Sequence, residues 1–378
     1  MTGRPLSKTE KRDWLRLART ENVGPITFRQ ILRRFGSAEA ALKAVPDMAR
    51  RGGKRNLTLP PQSAIDDELE RIEKIGAKLI GWNEPDYPEA LAVIEDAPPL
   101  ITVRGNVSLL HKRSIGIVGT RNASLNGRKM AETLAHDLGR EDIAIVSGMA
   151  RGIDTAAHKA SLETGTIAVL AGGVDIVYPQ ENQTLYDRLI ETGCVLSDMP
   201  LGLEPFSKLF PRRNRLISGL SLGVIVVEAA LQSGSLITAQ MALDQGREVF
   251  AVPGSPLDPR AAGTNHLIRQ GAVLTEKATD ILNHIHALPR RLAEPPANDF
   301  MGNSGPTDEN VLAEAREKIL ENLSPSPVSV DELARQCFVS PSVVLTVLLE
   351  LELSGRIERQ PGNKVAMIGS SCLTSSLS

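Results

Sequence analysis

The densest chemistry in this sequence is the run Lys208-Leu209-Phe210-Pro211-Arg212-Arg213-Asn214-Arg215, where four cations surround one aromatic ring and no acidic residue occurs between Glu204 and Glu228. Guanidinium groups grip phosphate through planar, paired hydrogen bonds. An aromatic ring set among them can stack on a base. Phosphate together with a base face is what single-stranded nucleic acid presents. The 378-residue chain has a formal net charge of −2, so a polyanion must be met by a local patch rather than by a globally positive surface. Crowded cations repel one another, and a bland surface has no reason to accept that cost. Aromatics make up only 3% of the chain, so a stacking platform rests on few rings, and Phe210 is the candidate.

A second group of residues lies in turns between apolar runs and helical patterns. These are Gly116-Ile117-Val118-Gly119-Thr120-Arg121-Asn122-Ala123-Ser124, Ser147-Gly148-Met149-Ala150-Arg151-Gly152-Ile153-Asp154, Ala171-Gly172-Gly173 and Leu231-Gln232-Ser233-Gly234-Ser235. Glycine lets backbone N–H groups face outward, and a helix N-terminus favours an anion. One such loop is most simply a tight turn. Four in one sheet suggest a site for several phosphates or for one extended phosphate chain. Neither the G-x-G-x-x-G dinucleotide spacing nor the G-x-x-x-x-G-K-[ST] phosphate loop is present.

Catalysis would draw on Asp154, His158, Asp175 or Glu228. Asp154 and His158 are four residues apart and share one helix face. An acid at a helix N-terminus is a good structural residue in its own right, and the structural reading of His158 is preferred. A rival function is hydrolysis of a free nucleotide monophosphate, with Arg121 holding a phosphate and Glu228 catalytic. The length of the Arg212–Arg215 cluster discriminates, because it exceeds what one small phosphate needs. Cys194, Cys337 and Cys372 are isolated, and the six histidines show no ligand spacing, so neither a disulfide framework nor a metal site is expected. No cofactor is expected either.

The elements that must position these residues fall into three regimes. Residues 1–60 read as helical, with apolar positions at Trp14, Leu15, Leu17 and Ala18, then at Phe28, Ile31, Leu32 and Phe35. A break at Val23-Gly24-Pro25-Ile26 separates them. A third short helix is expected at Ala38–Ala44, and Arg50–Pro61 reads as a linker. Residues 61–286 alternate strands with amphipathic helices. The strands are expected at Ser114–Val118, Ile143–Ser147, Thr166–Ala171, Val195–Ser197, Gly223–Glu228, Val249–Val252 and Ala272–Leu274. Near-continuous apolar strands alternating with helices predict a doubly wound, mostly parallel α/β sheet covered on both faces. Residues 287–309, with the Arg290-Arg291 pair, read as a linker. Residues 310–370 read as three helices and a β-hairpin, the pattern of a winged helix. Its would-be recognition helix, Pro341–Leu353, has Glu350 and Glu352 and no cation, which suits DNA poorly. This module is expected to bind protein or only to pack. The charged N-terminus is neither a signal peptide nor an anchor, and no apolar run can span a bilayer, so a cytoplasmic, non-membrane protein is expected.

Taken together, these motifs resemble the DprA/Smf family of DNA-processing proteins. The matching segments run from about Trp82 to Leu274: Gly119-Thr120-Arg121-x-x-Ser124, Ser147-Gly148-x-Ala150-x-Gly152-Ile153-Asp154 and Phe210-Pro211-x-Arg213-Asn214-Arg215. Val227-Glu228-Ala229, Ser233-Gly234-Ser235 and Pro253-Gly254-Ser255 extend them. The resemblance implies a Rossmann-like core that binds single-stranded DNA, forms a homodimer and helps load the recombinase RecA onto incoming DNA in natural transformation. It implies a helical N-terminal domain similar to a SAM or helix-hairpin-helix module, and a C-terminal winged helix. Carried over by motif, Arg121, Lys208 and the Arg212–Arg215 cluster would grip phosphates. Gly119, Thr120, Ser124, Gly148, Asn214, Ser233 and Gly234 would line the same groove, and Phe210 would stack.

Overall fold

The computed structural model describes residues 3–53, 57–287, 309–360 and 362–368. The interior of the stretch read as a linker (288–308, with Arg290 and Arg291) and Cys372 lie outside the described residues. The chain divides into two compact units. One holds Met1–Leu6 and Asp66–Ala293, and the other holds Ser7–Ile65 and Glu294–Ser378.

The second unit begins with α1 (Lys8–Ala18), α2 (Pro25–Phe35) and α3 (Ala38–Arg51). Ser7 and Glu10 close a capping box on α1, satisfying N–H groups that the first helical turn leaves open. Pro25 starts α2, where its missing N–H costs nothing, and Gly36 (φ 74°) ends it in the left-handed region. The third helix is longer than the sequence suggests. It runs on past Pro46 to Arg51, because Val45, Met48 and Ala49 continue the buried face.

The α/β unit follows with α4 (Gln62–Lys74), β1 (Lys78–Gly81), α5 (Glu89–Ala92), β2 (Leu100–Gly105), β3 (Ser114–Val118), α6 (Leu125–Arg140), β4 (Ala144–Ser147) and α7 (Ile153–Ser161). Then come β5 (Thr166–Val169), α8 (Gln183–Thr192), β6 (Cys194–Ser197), α9 (Leu209–Leu220), β7 (Gly223–Val226) and α10 (Gly234–Asp244). Last are β8 (Glu248–Ala251), α11 (Ala262–Arg269), β9 (Val273–Leu274) and α12 (Ala278–Ala287). The nine strands form one sheet in the order β1-β2-β6-β5-β4-β3-β7-β8-β9. From β6 to β9 every pairing is parallel, and β2 and β1 add to the β6 edge antiparallel. Apolar side chains pack on both faces. Leu134, Ala135, Ile153 and Ile281 cover one face, and Leu216, Ile217, Ala239 and Leu267 cover the other. This is the expected doubly wound Rossmann-like sheet. The chain leaves β3 toward β4, β5 and β6, then returns to place β7 on the other side of β3. Ligands of such sheets gather at that reversal, outside the carboxyl ends of the strands.

The chain closes with α13 (Glu309–Asn322), β10 (Val328–Ser329), α14 (Val330–Cys337), α15 (Pro341–Leu353), β11 (Ile357–Gln360) and β12 (Lys364–Met367). The three strands form a small antiparallel sheet in the order β10-β12-β11, completing the winged helix. Among the described residues no single helix is long and apolar enough to cross a membrane.

Candidate nucleic-acid interface

The basic run is not a turn. Residues Leu209–Leu220 form α9, so Phe210 through Arg215 occupy its first two turns, and successive residues point about 100° apart. Lys208 and Arg212 are exposed, whereas Arg213 and Arg215 are 5% and 6% exposed. The expectation of four outward cations is therefore corrected. The helical period sends half of them into the protein.

Arg215 is structural. Its Nη2 donates to Asp198 Oδ2 at 2.6 Å, a second guanidinium nitrogen reaches the Asp96 carbonyl, and Nε lies 3.6 Å from Asp96 Oδ2. A guanidinium held this way cannot also hold a phosphate. Arg213 lies beneath the site, with Nη1 donating to the Val169 carbonyl at 2.7 Å. Burial lowers its pKa to about 10, with Asp154 opposing, so it stays charged at neutral pH. Gly148 is glycine because any Cβ there would overlap that guanidinium. Asp154 opens α7 and accepts from the N–H groups of Gly148 (3.1 Å) and Ala150 (3.2 Å), which shapes the turn after β4. Burial raises its carboxyl, and Arg213 is the main opposing charge.

The same turn holds Met149 at φ 59°, an unfavourable value for a bulky residue. Asn182, buried before α8, donates to the Met149 carbonyl at 2.8 Å and fixes it. No motif in the sequence marks Asn182. His158 is fully buried, with Nδ1 2.7 Å from Thr166 Oγ1, and desolvation followed by the Arg213 charge pushes its pKa down to about 3. It is a neutral core histidine and reaches no open surface.

At the β3–β7 reversal the protein supplies its own anion. Glu228 accepts from Ser124 Oγ at 2.5 Å and from Ser124 N at 2.9 Å, while the Gly127 N–H donates to Ser124 Oγ at 2.8 Å. Its carboxylate sits against Gly127 in the first turn of α6, where any Cβ would overlap it. The Thr120 N–H donates to the Glu228 carbonyl at 2.7 Å, and a Cβ on Gly119 would lie 2.5 Å from Ile153 Cγ1. Gly119, Ser124 and Gly148 thus hold the loops in place. In the rival reading Arg121 holds the phosphate and Glu228 is catalytic; here the Glu228 carboxylate is engaged by Ser124 and lies against the first turn of α6.

What faces outward is an aromatic and cationic stack. The Arg121 guanidinium carbon lies 5.0 Å from the centroid of the Phe210 ring, within cation–π range. The Tyr178 ring also lies against Phe210, with centroids 5.7 Å apart and planes inclined by 54°. Phe210 is half-buried over Ala171, Met199 and Leu209, which anchor it, while Tyr178 is 47% exposed. Phe206, Lys208 and Arg212 extend this surface along the approach to α9 and its first turn. Asn214 Nδ2 lies 3.5 Å from the Gly234 carbonyl, which brings α9 to the start of α10, where Ser233 is the N-cap and Gly234 opens to free space. Tyr178 was not singled out in the sequence. Its signal was available, as one of few aromatics, placed in the turn after a predicted strand. Among the described residues no group of three or more His, Cys, Asp or Glu could hold a metal ion.

Three family descriptions match along the chain. The family described as DNA recombination-mediator protein A matches residues 78–286. A DprA-like N-terminal HHH domain matches residues 8–70, and a DprA winged helix domain matches residues 304–363. Protein Smf of Escherichia coli is 38% identical over 310 residues, covering 81% of this chain and 82% of that protein. The X-ray structure of DNA processing protein A from Streptococcus pneumoniae superposes with a TM-score of 0.63 at 36% identity, covering 71% of this chain and 95% of that one. DNA processing protein A from Helicobacter pylori, solved in a study of its single-stranded DNA binding mode, gives 0.51 at 28% identity over 56% of this chain and 95% of that one. On the family match across the α/β unit and the identity to Smf over most of both chains, this chain belongs to the DNA recombination-mediator protein A (DprA/Smf) family.

Proposed function

We propose that this chain is a single-stranded DNA-binding recombination mediator that protects incoming DNA and loads RecA during natural transformation, working as a cytoplasmic homodimer. The observation that carries the reading is the Arg121–Phe210–Tyr178 stack on the carboxyl edge of the sheet, with Lys208 and Arg212 exposed beside it. Aromatic faces accept any base, and flanking cations follow the phosphate chain, which together suit a strand of unspecified sequence. Phe210 and Tyr178 stack on bases. Arg121, Lys208 and Arg212 take phosphates. Thr120, Asn214, Ser233 and Gly234 line the path.

The dimer reading is supported by exposed apolar residues at one end of the sheet. Leu274 lies on the unpaired outer edge of β9, and Leu257 is 93% exposed. The domain division 1–60, 61–286, 287–309 and 310–370 is proposed as the plan along the chain.

Fluorescence anisotropy with labelled oligo-dT and the matching duplex, across a salt series, tests the central claim. Tight, salt-sensitive binding that prefers the single strand is expected. No binding at low salt rejects it.

A further inference from the structure

The turn between β4 and α7 lies between the loops of the two residues that pack on Phe210. On one side the Ile153 N–H donates to the Thr120 carbonyl at 3.4 Å, and any Cβ on Gly152 would overlap that same oxygen. The turn therefore rests against the loop that carries Arg121. On the other side Asn182 Nδ2 donates to the Met149 carbonyl at 2.8 Å and to Thr155 Oγ1 at 3.0 Å, while that hydroxyl donates to the Ala150 carbonyl at 2.7 Å. Asn182 is 7% exposed and follows Tyr178 by four residues, so the turn is also fixed to the loop that carries Tyr178. Arg121 and Tyr178 both meet the Phe210 ring.

Within this turn Met149 is fully buried, whereas the Arg151 side chain is 60% exposed. Arg151 Nε lies 2.6 Å from Oε1 of Glu181, a side chain that is itself 52% exposed and belongs to the residue just before Asn182. The bonds of Asn182 hold the backbone beside Glu181 to the turn, so its carboxylate is delivered to the guanidinium with little freedom left to lose. An exposed ion pair adds little to stability. Its place at the carboxyl edge gives it another use, because a carboxylate offers a guanidinium the same charge and acceptor geometry that a phosphate does.

We propose that Arg151 is a further phosphate contact, held in the free protein by Glu181, whose carboxylate keeps the phosphate's place until a bound strand displaces it. This rests on the reading of the aromatic stack as a single-stranded DNA site. A strand with a phosphate on Arg121 and bases on Phe210 and Tyr178 passes the turn of Arg151 on its way. Exchanging Glu181 for a phosphate oxygen replaces one charge-assisted contact by another, and counterion release from the strand drives the exchange. Glu181 thereby sets how tightly the strand is held, through a cation it withholds.

The test is anisotropy of labelled oligo-dT with the whole chain, comparing wild type, Glu181→Gln, Arg151→Gln and the double variant across a salt series. Glu181→Gln should bind about threefold tighter at low salt, the scale of one exposed ion pair. A gain of affinity cannot come from a misfolded variant. Arg151→Gln should lower the slope of log affinity against log salt by about 0.7, one phosphate contact on a single strand. With Arg151→Gln already in place, adding Glu181→Gln should change nothing, because Glu181 acts through Arg151. Equal or weaker binding by Glu181→Gln overturns the proposal, and so does an unchanged slope in Arg151→Gln. A gain from Glu181→Gln that persists without Arg151 marks general repulsion and overturns it too. Each of these results leaves wild-type binding, and the reading of the stack, in place; a wild type that binds no oligo-dT at low salt overturns both.

Discussion

The carboxyl edge of the large sheet and the recognition helix of the winged helix are the two places where sequence would seat nucleic acid, and they use their charges in opposite ways. At the sheet edge, α9 divides its cations, with Lys208 and Arg212 outside and Arg213 and Arg215 inside. In α15 both acids go inside, where Arg51, Arg316 and Arg359 meet them. What makes a charge available is its phase on the helix and the partner waiting beneath it. The number of charges in a motif does not decide it.

The largest effect should come from breaking an inward charge. Arg215→Ala leaves Asp198 buried without its guanidinium, and a stability loss of about 3–5 kcal/mol is expected in urea unfolding. Intact stability with lost oligo-dT binding would reverse the assignment of Arg215. Next comes the outward face. Phe210→Ala should weaken oligo-dT binding by about 1–3 kcal/mol in anisotropy titrations, irrespective of base sequence. Loss confined to one sequence would point instead to base readout.

His158 sharpens the inward side through pH. Its folded pKa of about 3 lies below the unfolded value of 6.5, so between these pH values the unfolded chain binds a proton that the folded chain refuses. Stability attributable to this group is therefore full above pH 6.5 and falls by about 1.4 kcal/mol per unit as pH drops below it. In His158→Gln that slope should flatten across pH 4–6. The smallest effect is expected at Arg212. Arg212→Ala should reduce the slope of log affinity against log salt by about 0.7, one phosphate contact on a single strand.

The central strands were legible because parallel strands buried on both faces read as unbroken apolar runs. Ser114–Val118 matches to the residue, and the strand expected at Gly223–Glu228 ends at Val226. The short strands β1 and β2, which add antiparallel to one edge, fall outside the strands expected from the sequence. Pro211 lies inside the first turn of α9, whose helical phase separates Arg212 from Arg213. The expected third helix stopped short of Pro46, whereas α3 runs on through it. In α15, Glu350 and Glu352 find cationic partners that the helix itself lacks, Arg51 and Arg316 for the first and Arg359 for the second. Tyr178 and Asn182 were missed because each acts through a neighbour far away in sequence, Phe210 and Met149 respectively.

The carboxylate of Glu228 at the start of α6 has a consequence for competition from free nucleotides. A Rossmann-like sheet usually offers a nucleotide one strong foothold at a helix N-terminus. In this protein that foothold is filled from within. At the start of α6 a lone nucleotide would meet a carboxylate, which leaves it the separate contacts of the aromatic and cationic surface and of the start of α10. A polymer reaching several of them at once would gain from their linkage, since each bound nucleotide raises the local concentration of the next. The fold would thus discriminate by chain length, keeping its surface clear of the metabolite pool.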